Sequence, residues 1–102
     1  MSLREIIYLN RDNDITLALA NNGIVIDHSS LTRVQLYIGD YLFDSLTLPN
    51  SFDFSNPSKL IISLGMQAMP TPIGKYKGRL YVYDLDNELG LAWGDMYIVV
   101  KY

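Results

Sequence analysis

Residues Thr71 to Asp84 read TPIGKYKGRLYVYD and carry the clearest structural signal in this 102-residue chain. A proline-bounded turn leads through Gly-Lys-Tyr into a run whose side chains alternate in character, and the run stops at an aspartate. Alternation of this kind predicts a β-strand with one buried and one exposed face. We therefore predict a strand from Tyr76 to Asp84, entered from an irregular connection over Gly65 to Gly74.

The rest of the chain repeats this period-two pattern with turn residues between the runs, and helical periodicity is almost absent. The other predicted strands are Arg4 to Asn10, Asp14 to Ala20, Ile24 to Ile26, Leu31 to Ile38, Tyr41 to Leu48, Phe52 to Phe54, Lys59 to Leu64 and Leu89 to Tyr102. Short strands at roughly ten-residue spacing are typical of a β-sandwich or barrel. We predict one domain over residues 1–102. Its fold is all-β, an immunoglobulin-like antiparallel sandwich of seven or eight strands without a disulfide and without a helix longer than about two turns.

Composition narrows the classes of function. The formal net charge is −3 and the cations are scattered along the sequence, which argues against general nucleic-acid binding. No apolar run reaches the roughly 18 residues that a membrane span needs, and Met1 to Glu5 lack the apolar segment of a signal peptide. The absence of cysteine is compatible with a reducing cytosol. We expect no nucleic acid and no membrane among the partners.

Tyr76 has a predicted structural role. In immunoglobulin-like sandwiches a tyrosine near the start of the sixth strand bonds through its hydroxyl to backbone upstream, which ties the preceding crossover to the sheet. Tyr76 follows the long Gly65 to Gly74 connection directly, so it can hold that loop in the same way. The simpler alternative is that tyrosine is a good strand former.

Three stretches carry a family resemblance: LNRDNDITLALANNGIVID (Leu9 to Asp27), SLTRVQLYI (Ser30 to Ile38) and IGKYKGRLYVYD (Ile73 to Asp84). Together they resemble the immunoglobulin-like N-terminal domain of phage baseplate upper proteins, over most of the chain. In that family the domain attaches a longer receptor-binding or adhesin-bearing protein to the phage tail. Because this chain ends in a predicted strand at Tyr102, the resemblance implies a small virion component or adaptor, present in the host cytoplasm during assembly.

Residues for catalysis are scarce. His28 is the only histidine, there is no cysteine, and Ser29 and Ser30 stand beside His28 in sequence, whereas catalytic triads join residues that the fold brings together. Asp27 to Ser30 therefore reads as a solvated turn capped by Asp27. We expect no catalytic residue and no cofactor.

A calcium site is the one metal alternative that we consider. Asp84, Asp86 and Glu88 alternate at a strand end, and loops of β-sandwiches can supply oxygen ligands to calcium. The EF-hand pattern fails because Leu89 occupies the position that requires glycine. No metal is predicted, although the sequence leaves open whether these three carboxylates bind calcium or form a solvated hairpin turn.

One outer face of the predicted sandwich has an unusual composition. If the third, sixth and seventh strands adjoin, alternation places ten residues there: Arg33, Gln35, Tyr37, Lys77, Arg79, Tyr81, Tyr83, Tyr97, Val99 and Lys101. Tyrosine and arginine are enriched at binding hot spots. We predict an interface formed by Arg33, Tyr37, Arg79, Tyr81, Tyr83 and Tyr97. The alternative is cross-strand aromatic pairing on an open face, and a bulge at Gly90 or Gly94 would exchange the faces of the last strand.

The leading functional hypothesis is a non-enzymatic phage structural protein that assembles with itself or with other tail, baseplate or capsid proteins. One alternative is a carbohydrate-binding module that uses the tyrosines and Trp93, although Trp93 also fits a core position. Another is a small phage-encoded inhibitor or host-takeover protein. The sequence leaves head or tail location, oligomeric order and the partner open.

Overall fold

The computed structural model describes residues 3–8, 14–64 and 73–101. These ranges contain ten strands: β1 (Leu3–Tyr8), β2 (Ile15–Leu17), β3 (Ala20–Asn21), β4 (Ile24–Val25), β5 (Arg33–Ile38), β6 (Tyr41–Asp44), β7 (Phe52–Asp53), β8 (Leu60–Ile62), β9 (Gly74–Asp84) and β10 (Asn87–Lys101). Two 3₁₀ helices of three residues each, His28–Ser30 and Pro49–Ser51, complete the elements. The all-β prediction is confirmed for the described residues, and neither helix there has the length to cross a membrane.

Eight of the strands form two sheets. A five-stranded sheet has the order β1-β10-β9-β5-β6, and a three-stranded sheet has the order β2-β8-β7. The remaining strands, β3 and β4, pair only with each other, over two residues each. The predicted number of seven or eight strands therefore fits the two larger sheets, and the short β3–β4 ladder comes in addition.

The predicted purely antiparallel arrangement is wrong at one edge. β1 runs parallel to β10, from Leu3 opposite Met96 to Tyr8 opposite Lys101. A tight turn makes its two flanking strands antiparallel, but the first and last strands are not joined by one. Their relative direction follows from the path of the whole chain, which local sequence patterns do not reveal.

Both sheets contribute to one apolar core. The inward positions of the alternating strands are the buried ones, and they form a single cluster: Ile7, Ile15, Leu17, Val34, Leu36, Ile38, Phe43, Phe52, Leu60, Ile62, Leu80, Val82, Met96, Ile98 and Val100, with Leu19, Leu31 and Leu64 from the connections. Two sheets that share a core in this way make a β-sandwich-like fold. Burial of alternate side chains on both sheets is its main favourable term.

A side chain interrupts the predicted strand from Asp14 to Ala20. The Leu19 N–H donates to Nε2 of His28 at 3.0 Å, and the Leu19 carbonyl accepts from the Ile26 N–H at 3.0 Å. Because both Leu19 backbone groups bond outside a sheet ladder, the segment divides into β2 and β3. This bend carries the chain back toward the 3₁₀ helix at His28–Ser30.

His28 is fully buried, with 0% of its surface exposed, so the predicted solvated turn is wrong for this residue. Its Nδ1 lies 2.9 Å from the Pro57 carbonyl. The Leu19 N–H can only donate, so Nε2 presents a lone pair and Nδ1 carries the proton, which it donates to Pro57. The neutral ring therefore joins two connections of the sandwich. Asp27 does cap this turn, by accepting from the Ser29 N–H at 3.0 Å.

Tyr76 is half-buried and packs against the core. A Cβ atom on Gly39 would lie 3.0 Å from the Tyr76 ring, so the ring covers the turn between β5 and β6. The predicted bond from its hydroxyl to the Gly65 to Gly74 connection involves residues 65–72, which lie outside the described residues. That anchoring role stays a prediction.

We expect His28→Ala to lower the free energy of unfolding by about 2 to 4 kcal/mol. The substitution removes a buried ring and leaves the Leu19 N–H and the Pro57 carbonyl without their side-chain partner. Urea unfolding measures the change, with Thr16→Ala on the exposed side of β2 as the control. Equal stability of the His28 variant and the wild type would contradict a structural role for the imidazole.

Candidate functional site

The outer face of the five-stranded sheet is the candidate site. Along β9 the pleat directs Gly78, Leu80 and Val82 to the core and leaves the alternate residues exposed or half-buried on the other side. The three strands expected to adjoin do so, in the order β10-β9-β5. The prediction of which β9 and β5 side chains face outward is therefore confirmed, and the last strand keeps Tyr97 on this face because Tyr97 pairs with Lys77.

Rings and cations interlock at the middle of this face. The Tyr37 and Tyr81 rings meet edge to face, with centroids 5.8 Å apart and planes at 81°. The Arg79 guanidinium carbon lies 5.1 Å from the Tyr37 ring centroid, directly across the β5–β9 ladder. Such ring pairs and cation–π contacts hold side chains in defined positions before any partner arrives.

Four side chains close a ring of contacts at the end of β9. Arg33 donates through Nε to both Asp44 oxygens at 3.1 Å and through Nη2 to Oδ2. Gln35 donates from Nε2 to Asp44 Oδ2 at 3.1 Å, and the Tyr83 hydroxyl donates to Gln35 Oε1. The Arg33 guanidinium carbon then lies 5.1 Å from the Tyr83 ring centroid, which completes the circuit.

Asp44 is the acceptor at the centre of this circuit. The hydrogen bonds from Arg33 lower the pKa of the Asp44 carboxyl to about 2, and bonds from the Leu46 N–H and Gln35 act in the same direction against the effect of burial. The same partner raises the pKa of Arg33. Asp44 also ends β6, because its backbone carbonyl accepts from the N–H groups of Thr47 and Leu48. The strand predicted to reach Leu48 therefore stops four residues earlier.

Sequence reasoning missed Asp44, although a signal for it existed. The predicted turn at Gly39-Asp40 places Ile38 opposite Tyr41, and counting back along both strands places Gln35 opposite Asp44. A carboxylate directly across from an outward glutamine, one pleat from Arg33, is a candidate for cross-strand pairing. Asp44 was not considered because β6 was read for its apolar residues.

Gly90 allows Tyr83 to lie where it does. Its φ is +88°, a region that favours glycine, and a Cβ there would lie 2.7 Å from Tyr83 Cε2. Leu89, the preceding residue, borders an open depression of about 280 Å³ together with Gln35, Tyr37, Arg79, Tyr81 and Tyr83. Five of the six predicted interface residues thus come together around this depression or its rim.

Tyr97 is the predicted interface residue that stays apart. It lies on the same face, but opposite Lys77 near the start of β9, and 59% of its surface is exposed. Lys101 lies near it along β10, with Nζ 5.4 Å from the Tyr8 ring centroid. The outer face therefore has an aromatic cluster at one place and a separate tyrosine–lysine region at another.

The three carboxylates considered for calcium belong to the turn between β9 and β10. Asp84 Oδ1 accepts from the Asp86 N–H at 3.0 Å and from Asn87 Nδ2 at 2.8 Å, as in an ordinary side-chain-stabilised turn. Asp86 and Glu88 are exposed. In the described part of the chain no three histidine, aspartate or glutamate side chains are grouped as ligands for a metal ion.

Trp93 packs partly against the core. It borders a second open depression, of about 320 Å³, with Ala20, Leu91 and Ala92. A shift in the β9–β10 register falls between Ala92 and Gly94, so a bulge accommodates the indole. Trp93 is therefore not part of the aromatic cluster that includes Tyr37, Tyr81 and Tyr83.

Comparison with known proteins adds no relative: no protein-family model matches the chain, and no curated protein matches it in sequence.

We expect the Arg33–Asp44 pair to make stability pH-dependent in acid. The folded-state pKa of Asp44 is lowered from 3.8 to about 2, so its contribution is complete above pH 4 and is lost as the pH falls toward 2. The amount is on the order of 1 to 2 kcal/mol. Unfolding of the wild type and of Asp44→Asn between pH 7 and pH 2 measures it, and the gap between the two should narrow with acid. A constant gap would contradict the assignment.

We also expect Gly90→Ala to destabilise the fold by more than Gly23→Ala. Both glycines have positive φ, +88° and +80°, but a Cβ at Gly23 meets nothing within 4 Å, whereas at Gly90 it meets the Tyr83 ring. The backbone contribution, about 1 kcal/mol or more, is therefore shared, and the difference isolates the contact with Tyr83. Thermal melts of the two variants supply the measurement; equal losses would show that Tyr83 moves away without a penalty.

Proposed function

We propose that this protein is a non-enzymatic structural component of a bacteriophage particle, located in the virion and in the host cytoplasm during assembly. Its place is the tail, the baseplate or the capsid. It works by binding copies of itself or other particle proteins through the outer face of the five-stranded sheet. The resemblance of residues 9–27, 30–38 and 73–84 to a phage baseplate domain supports the setting.

The strand order supports an immunoglobulin-like architecture for this domain. Immunoglobulin sandwiches of the variable type place strands G, F, C and C′ side by side, and strands B, E and D form part of the opposite sheet. The orders β10-β9-β5-β6 and β2-β8-β7 match these two series when β2 is taken as strand B. Domains of this architecture commonly use the G-F-C face or the loops at its end for recognition.

The observation that carries the proposal is the pre-ordered aromatic and cationic cluster. Tyr37, Tyr81 and Arg79 hold one another by ring and cation–π contacts, and the Arg33–Asp44–Gln35–Tyr83 circuit fixes the neighbouring ring. Tyrosine and arginine dominate interface hot spots, and side chains already ordered before binding lose less entropy on association. A face that served only to cover the sheet would not need this composition.

A carbohydrate-binding module is the second candidate, favoured by one specific observation. The depression of about 280 Å³ is bordered by three tyrosine rings, a guanidinium and an amide, which can stack on and hydrogen-bond to a sugar. Trp93 lies outside this depression, so the tyrosines rather than the tryptophan would contact the glycan. Retention of the protein on polysaccharide from the host surface, lost in a Tyr81→Ala variant, would favour this candidate over the structural one.

The test of the structural role is the double variant Arg79→Ala with Tyr81→Ala. Outward cross-strand pairs contribute only about 0.2–1 kcal/mol each to folding. Truncation of a hot-spot residue costs about 2 kcal/mol or more of association energy. The variant should therefore remain a folded monomer in thermal melts and fail to join its oligomer or particle in light-scattering and incorporation assays.

Lys59→Ala with Thr16→Ala is the matched control, because both residues lie outside the five-stranded sheet. It should assemble like the wild type. If the Arg79 and Tyr81 double variant also assembles normally while the fold is intact, the outer face is a cross-strand ladder without a partner, and the proposed interface is wrong.

A further inference from the structure

Cations are concentrated on the outer face of the five-stranded sheet. Although the whole chain has a net charge of −3, the cationic side chains that the structure describes, apart from Lys59, lie on this face: Arg33, Lys75, Lys77, Arg79 and Lys101. Arg33 is neutralised by Asp44. The uncompensated positive charge is therefore displaced toward the first half of β9.

The charges are also ordered along β9. Lys75 and Lys77 lie at its beginning, with Lys101 and Tyr97 beside them on β10, and we call these four residues the basic end. The turn after β9 carries Asp86 and Glu88 between two leucines, Leu85 and Leu89, and we call this segment the acidic tip. Asp40, in the turn next to Lys77, removes part of the charge of the basic end without reversing it.

The two ends of the face are too far apart to neutralise each other. β9 has 11 residues, which corresponds to a length of about 35 Å at about 3.3 Å per residue. The Debye length at physiological ionic strength is about 8 Å. Each copy therefore presents an uncompensated positive region and an uncompensated negative region on one face, with the aromatic cluster between them.

Both ends also expose apolar surface. Leu85 is 82% exposed and Leu89 is 98% exposed in the acidic tip, and Tyr97 is largely exposed in the basic end. Charge next to exposed apolar groups is the composition of an interface rim and anchor rather than of a solvated turn.

We propose that the outer face binds the same face of a second copy in antiparallel orientation, as a two-fold dimer. The proposal rests on the assembly role given above and names the partner. In this orientation the acidic tip of each copy meets the basic end of the other, so both contacts are complementary, and the aromatic cluster supplies rings and cations to its own counterpart. A parallel orientation would set like charges against each other.

The size of the face agrees with such a dimer. The five strands, at about 4.8 Å spacing and about 3.3 Å per residue, give the face roughly 650 Å². A specific interface of standard size buries about 800 Å² on each partner, and the protruding tip and side chains add to the flat area. The whole face is therefore needed, and it is sufficient.

Charge reversal at the two ends tests the orientation. Lys75→Glu with Lys77→Glu makes the basic end negative, and Asp86→Lys with Glu88→Lys makes the tip positive. Each variant alone should dimerise at least about tenfold more weakly than the wild type, since both contacts of its own dimer become repulsive. Mixed in equal amounts, the two variants should restore a dimer, because every contact between unlike variants is again complementary.

Sedimentation equilibrium is the measurement, with the wild type and the mixture expected at twice the 11.6 kDa of one chain. Lys59→Glu is the control and should dimerise normally. Thermal melts check that each variant is folded. If Lys77→Glu lowers the melting temperature, Lys75→Glu with Lys101→Glu replaces it.

The outcomes separate this inference from the assembly role. If the charge variants associate like the wild type while Arg79→Ala with Tyr81→Ala does not, the face is an interface but the antiparallel orientation is wrong. Failure of the mixture to dimerise, or a mass above two chains, overturns the two-fold arrangement in the same way. A wild type that stays monomeric at its highest soluble concentration overturns the self-partner, while incorporation into particles still tests the assembly role.

Discussion

The pleat of β9 is the constraint on which the rest of the structure depends. Successive side chains of a strand point to opposite faces, so its 11 residues must serve the core and the surface in strict alternation. Inward positions hold Gly78, Leu80 and Val82, and Gly78 is needed because a Cβ there would lie 2.7 Å from Ile98 Cδ1. The outward residues are free to carry charge and rings only because this inner row already supplies the packing.

Two buried polar arrangements connect elements that alternation alone leaves independent. His28 joins Leu19 to Pro57 from within the core, and Asp44 joins Arg33, Gln35 and its own turn at the sheet edge. In both places the polar groups are satisfied by partners from distant parts of the chain. Such satisfaction is what allows polar atoms to be buried, and it also limits how the connections can run.

The same economy links stability to the proposed activity. Asp44 neutralises Arg33 and orders Gln35, which accepts from Tyr83, so the ring at one end of the aromatic cluster is positioned by a bond that also terminates β6. Arg79 and the basic end keep their charge at the surface, and the carboxylates of the acidic tip lie beyond the other end of β9. The face is therefore rigid at its centre and electrostatically polar along its length. Both properties favour one orientation of a partner over others.

The sequence by itself determined the all-β class, most strand positions and the two faces of β5 and β9, because alternation and turn residues act over a few neighbouring positions. It thereby identified Arg33, Tyr37, Arg79, Tyr81 and Tyr83 as outward residues of adjoining strands. Only the tertiary structure decided that β1 runs parallel to β10, that His28 is buried against Pro57, that Asp44 completes the circuit with Tyr83, and that Tyr97 lies away from the aromatic cluster. Each of these depends on contacts between residues far apart in the chain or on the register of two strands, and neither is encoded in the character of the residues alongside.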